Sequence, residues 1–293
     1  MDHSTMPART VSALTGLSLT KLKKLTSAFA AAWDLYREKS GLGQNKKHPG
    51  RPLGHPLKRI LSFALAHLKT NATFDALAGC FNLPRSTFYS LVRRGLSVLS
   101  FALEQNGCAP TRDFNSTLQI LIAFKNKRKA FIDATERRIR RPTKGQKAFY
   151  SGKKKCHTVK NQIICSQDKR IICVSATVEG RIHDLRIFEE QKLSQIYPST
   201  LKTYLDLGYL GIGKTCQNMV FLMPKKKPKG RELSPTQKNK NSDISSKRVL
   251  IEHAIGGIKR MQSVSGTCRS INSALRDLKF YVSAGLWNFH LES

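Results

Sequence analysis

The sequence predicts a chain in two parts, an all-helical N-terminal domain over residues 1–110 and a mixed α/β domain over 111–293. Three observations carry that expectation. Apolar residues recur at helical spacing up to about Leu99. From about residue 127 the pattern changes to short β-branched runs separated by polar breaks. The length of 293 residues exceeds one typical domain and suits a small unit joined to a larger one.

The elements follow in order. Leu19, Leu22, Leu25, Phe29 and Trp33 predict an amphipathic helix over 17–38. GLGQNKKHPGRPLGHP (41–56) reads as a loop or linker. Leu57, Ile60, Leu61, Leu65 and Leu68 then predict a helix over 56–69, with two short helices after it. RKAFIDATE, CHTVKNQIICS and RIICVSATVEG predict three consecutive strands. HDLRIFEEQKLSQI predicts one helix, TYLDLGY and NMVFLMP two more strands, and Ser234 to about Met261 a helix broken late at Gly256-Gly257. PKKKPKGRE (224–232) is a solvated basic loop.

Charge speaks to partners. Lys and Arg number 51 against 19 Asp and Glu, a formal +32. Such an excess favours a polyanion such as nucleic acid, whose neutralised phosphates release condensed counterions, although a ribosomal or membrane-surface protein would be as basic and charge alone does not choose. The seven cysteines are odd in number, scattered and without a C-x-x-C pair, which argues against a disulfide framework and a zinc site. Neither an export signal nor a bilayer-spanning stretch is legible, so a cytoplasmic protein with no membrane partner is expected, nucleoid-associated if bacterial.

Residues 73–94, TFDALAGCFNLPRSTFYSLVRR, fit helix-turn-helix spacing. Leu77, Ala78, Phe81, Leu83, Phe88 and Leu91 would pack inward, and Asn82 would take the positive φ of the turn. Arg85, Ser86, Thr87, Tyr89 and Arg93 are left facing solvent or a major groove, although an ordinary helical hairpin has the same spacing. Lys225, Lys226, Lys227 and Lys229 can act as phosphate neutralisers.

Acidic residues are scarce, so three in apolar company need a reason. Asp133 lies late in AFIDATE, Asp206 in TYLDLGYLG where a strand meets a Gly turn, and Glu252 in KRVLIEHAIGGIKR. Taken singly, each has a plain explanation: a turn cap, a turn start, and a helical pair with Arg248. Brought together they would repel unless cations hold them ionised. Oxygen ligands without a His/Cys cluster suit Mg²⁺ or Mn²⁺.

The segments FIDATERRIRRP, FYSGKKKCHTVKNQII, EGRIHDLRIFEE, LDLGYLGI, MPKKKPKGRELS and RVLIEHAIGGIKR occur in this order over most of residues 125–262. In them the chain resembles the DDE transposases of bacterial insertion sequences, in the superfamily-endonuclease branch related to PIF/Harbinger elements. The resemblance implies an RNase H-like catalytic domain behind the helix-turn-helix domain. It implies that Asp133, Asp206 and Glu252 are catalytic and hold divalent metal ions. Arg248 and Lys259 match its basic partners, and His183-Asp184 matches a recurrent pair read here as structural, with Asp184 a spare ligand candidate. The implied partners are terminal inverted repeats and target DNA, with a homo-oligomer bringing two ends together. One departure is Ser245, where the wider insertion-sequence signature has Tyr. Rival readings are a transposase-derived DNA-binding protein without cleavage and a plain basic RNA-binding protein. A haloacid-dehalogenase-type phosphotransferase is excluded because Thr135 stands where its second Asp is needed.

Overall fold

The computed structural model describes residues 7–39 and 54–292, so most of the expected linker at 41–56 lies outside the described residues. Two compact units emerge: residues 1–109 with 258–293, and residues 110–257.

The first unit is helical. It contains α1 (Ala8–Thr15), α2 (Leu19–Lys39), α3 (Leu57–Thr70), α4 (Phe74–Cys80) and α5 (Arg85–Gln105). Its core is aromatic, with the Phe63 ring 4.7 Å from Phe81 and 5.2 Å from Phe88, centroid to centroid. Thr73 caps α4 by accepting the Ala76 N–H at 3.1 Å. Asn82 takes φ 51° in the short turn to α5, the conformation expected of it. Leu77, Ala78, Phe81 and Phe88 are buried as expected, Leu83 and Leu91 only half-buried. α5 runs well past Leu99 because Leu96, Leu99, Ala102 and Leu103 continue the buried stripe.

The second unit holds α6 (Thr117–Phe124), β1 (Lys129–Arg138), α7 (Gln146–Phe149), β2 (Tyr150–Ser151) and β3 (Cys156–Ser166). They are followed by β4 (Ile171–Val174), β5 (Val178–Glu179), α8 (Asp184–Glu190), α9 (Leu193–Ile196) and β6 (Lys202–Tyr204). A 3₁₀ turn (Leu207–Tyr209), α10 (Ile212–Thr215), β7 (Phe221–Leu222) and α11 (Pro235–Lys259) complete it, and α11 ends two residues beyond the boundary. The sheet is mixed. β1 pairs antiparallel with β3 and parallel with β6, which pairs parallel with β7. β2, β4 and β5 all lie antiparallel to β3. Ala130 and Ile132 of β1 and Ile164 of β3 face a core shared with Phe188, Leu193 and Tyr209.

Several expected elements differ. RIICVSATVEG splits into β4 and β5 because the Ser175 hydroxyl, not a backbone carbonyl, accepts the Gln162 N–H at 2.8 Å. HDLRIFEEQKLSQI divides into α8 and α9 at Lys192, which adopts φ 54°. The strand in TYLDLGY stops at Tyr204, and that in NMVFLMP is only Phe221–Leu222. The Gly256-Gly257 pair does not break α11. Its buried stripe of Ile251, Ala254 and Ile258 outweighs a cost of about 1 kcal/mol per helical glycine.

The C-terminal residues, read from sequence as part of the α/β domain, belong to the helical unit. There α12 (Gln262–Ser265) precedes α13 (Ser273–Glu292), whose Phe280, Val282, Ala284 and Leu286 are buried. Asn288 reinforces this by donating to the Cys108 carbonyl at 2.9 Å. The wide apolar surface of α13 has to be covered by other apolar helices, and local periodicity does not say which. Among the described residues, no helix is long and apolar enough to cross a membrane.

Candidate active site

β1 delivers Asp133 and the end of β6 delivers Asp206. Both meet one guanidinium. Arg248 of α11 donates from Nη2 to Asp133 Oδ2 at 3.1 Å and from Nη1 to Asp206 Oδ1 at 3.5 Å. Asp133 Oδ1 also accepts the Ala134 N–H at 2.8 Å. The Arg248 side chain is 11% exposed, and among the described residues its buried Nε has no hydrogen-bond partner. Burial pushes the Asp133 carboxyl up to about 6; Arg248 and the Ala134 N–H oppose that shift, and Asp206 and Asp184 add to it. A carboxylate pair in this setting requires positive charge, and Arg248 supplies it.

Glu252 is placed differently from the two aspartates. The buried stripe of α11 runs through Ile244, Arg248 and Ile251, and Glu252 lies exposed about 40° around the helix from Arg248. Among the described residues no three His, Cys, Asp or Glu side chains are grouped to hold a metal ion. Lys259 stands on the last turn of α11, half-buried.

A second ionic group lies on β3. Lys160 donates to Asp184 Oδ1 and to the Ile182 carbonyl, both at 2.8 Å, and lies 3.7 Å from Glu136. Asp184 is therefore anchored. It also packs on the D-L-G-Y turn, where a Cβ on Gly208 would stand 2.3 Å from Asp184 Oδ2. Tyr209 closes that turn, donating its hydroxyl to Gln162 Oε1 at 2.9 Å. The sequence reading treated Asp184 as a spare and missed Lys160 altogether. A lysine inside the apolar run CHTVKNQIICS was the available signal, because a buried ammonium needs a carboxylate.

On the helical unit Arg85, Ser86, Thr87 and Arg93 are exposed. Arg85 Nε is 3.1 Å from Asp75. Tyr89 is half-buried, its ring edge-on to Phe74 at 5.0 Å and under the Arg93 guanidinium at 5.7 Å, so it also has a packing role. Lys225, Lys226 and Lys227 are exposed, with Lys227 paired to Glu232. All seven cysteines are free thiols.

A family model described as DDE superfamily endonuclease matches residues 132–288, a span that includes Asp133, Asp206, Arg248, Glu252 and Lys259. The chain is 35% identical over 161 residues to a probable transposase for insertion sequence element IS702 from Microchaete diplosiphon. That alignment covers 55% of this chain and 56% of the relative. No solved structure matches. With more than half of its length under that family model, and with Asp133 and Asp206 drawn onto one arginine within it, this chain belongs to the DDE superfamily endonucleases.

Proposed function

We propose that this chain is a DNA transposase that cuts and joins DNA at the ends of a mobile element. The observation that carries the reading is the convergence of Asp133 on β1 and Asp206 just past β6, far apart in sequence, on the buried Arg248. Asp133, largely buried, and Asp206, half-exposed, bring carboxylate oxygens to one point, the hard donor type that suits a divalent ion. Asp133 and Asp206 would hold Mg²⁺ or Mn²⁺, with Glu252 the third ligand. Such ions, when bound, activate a water and stabilise the leaving oxygen of a phosphodiester. Arg248 orients both carboxylates, and Lys259 contacts phosphate. The RNase H-like reading rests on the mixed sheet, in which antiparallel β4, β3 and β1 are followed by parallel β6 and β7.

The paired helices α4 and α5 act as the helix-turn-helix. Arg85, Ser86, Thr87, Tyr89 and Arg93 read base edges from the first turns of α5, and Lys225, Lys226 and Lys227 neutralise phosphates. Two chains together would hold two DNA ends. A second reading, a transposase-derived DNA-binding protein that does not cleave, draws on the exposed position of Glu252. A nicking assay with Mg²⁺ separates the two, using a supercoiled plasmid that carries the gene and its flanking DNA. Asp133→Asn, Asp206→Asn and Glu252→Gln should each reduce cleavage on the order of a thousandfold while binding persists. Near-wild-type cleavage by any one variant removes that residue from the site, and no cleavage by the wild type favours the second reading.

A further inference from the structure

A cationic pocket lies farther along the sheet from Asp133. Past the end of β1 the Ile139 N–H bonds the His157 carbonyl at 2.9 Å. Beside that point is an open cavity of about 670 Å³ lined by Arg141, Lys147, Tyr150, His157 and Arg181. Its volume falls in the range of small-ligand sites, about 300–1,000 Å³. Asp133 and Ile139 are six residues apart, roughly 20 Å at about 3.3 Å per strand residue, so the cavity is separate from the carboxylate site.

The cavity walls are held in place. Arg141 Nε donates to Gln146 Oε1 at 2.9 Å, and the Arg181 N–H donates to the Ala148 carbonyl at 3.2 Å. The neighbouring Gly180 lies against β3 so closely that a Cβ would stand 1.9 Å from Thr158 Oγ1. Any other residue there would push the Arg181 segment off the sheet. Tyr150 and His157 are cross-strand partners of β2 and β3, with their rings edge-to-face at 5.7 Å and 72°. Tyr150 remains 46% exposed. The lining thus combines three cations with an accessible aromatic surface and contains no carboxylate.

Cations alone would serve any duplex backbone. An aromatic ring in a concave pocket adds something a duplex cannot use, since a paired base is stacked on both faces and must leave the helix to reach it. Cations beside an exposed ring are the combination that holds single-stranded nucleic acid, with the base stacked and the phosphates neutralised. We propose that this pocket binds an unpaired nucleotide of DNA, its base on Tyr150 and its phosphates on Arg141, Lys147 and Arg181. The inference rests on the DNA-handling reading above. A separation of roughly 20 Å corresponds to about six nucleotides at about 3.4 Å each, so one DNA molecule can reach both sites.

The test uses the full chain without added metal, so that cleavage plays no part. A forked DNA with a single-stranded arm carrying 2-aminopurine is compared with the blunt duplex of the same sequence, by anisotropy and by quenching of the probe. The wild type should bind the fork about five- to a hundredfold more tightly and quench the arm. Tyr150→Ala should remove both the preference and the quench, whereas Tyr150→Phe, which keeps the ring, should retain them. Arg181→Ala should weaken the fork more than the duplex. Equal affinity for the two DNAs, or an unchanged preference and quench in Tyr150→Ala, overturns the inference alone. Failure to bind either DNA overturns it together with the reading on which it rests.

Discussion

Around Phe63 and Phe88 the helical unit buries rings against rings, and its buried Lys279 and His67 lie against the face of the Phe74 ring. Around Asp133 the sheet unit buries cations against polar partners. Arg248, Lys160 and Arg137 are each buried, and each has polar partners: Arg248 has Asp133 and Asp206, Lys160 has Asp184, and Arg137 has Asn161 at 2.7 Å. The contrast teaches where each unit spends stability. Apolar burial rewards the helical unit directly and leaves the exposed face of α5 free for recognition. Buried ionic groups return little net stability after desolvation, so the sheet unit gains less from them than the helical unit gains from its rings.

The contrast breaks most readily at Phe88. Phe88→Ala should cost the helical unit about 3–5 kcal/mol, seen as an earlier urea transition by circular dichroism. A loss below about 1 kcal/mol would mean that the aromatic cluster does not hold α3 to α5.

Next in size is the acid side of the comparison. Asp133 has a folded pKa of about 6, above its ordinary value of 3.8, so the fold favours its protonated form. Its contribution to stability is full below about pH 4 and is lost as pH rises through about 6, amounting to about 3 kcal/mol at most. In chelator, the stability of Asp133→Asn relative to the wild type should therefore improve between those limits. A difference that stays flat with pH would show that Arg248 fully compensates the carboxylate.

Gly208→Ala probes the turn that joins the two acidic groups. Its Cβ would meet Asp184 Oδ2, while Lys160 fixes the other carboxylate oxygen. About 1–3 kcal/mol of destabilisation is expected, with cleavage falling more than DNA binding. Equal falls would reduce the turn to a structural part.

The smallest effects belong to the exposed cations. Arg85 gives up little on leaving Asp75, because both side chains are more than 60% exposed. Arg85→Ala should cost about 1–3 kcal/mol of discrimination between end DNA and random DNA. Lys226→Ala should weaken all DNA alike and lower the salt slope by roughly one unit. If the two variants exchanged these behaviours, recognition would belong to the loop and not to α5.

What the sequence determined by itself was local. Helical spacing found α2 and α3 nearly to their ends, and alternation found β1 and β3, because those patterns depend on residues a few positions apart. Asn82 in its turn was legible for the same reason, and the family was legible because its motifs are short and ordered. Tertiary structure alone decided that residues 258–293 join the helical unit, that α11 passes through two glycines, and that Ser175 interrupts a strand. It also decided that Arg248 is the residue that unites the site. Its partners stand 115 and 42 positions away, a separation at which no periodicity acts and only the packing of α11 brings charge to charge.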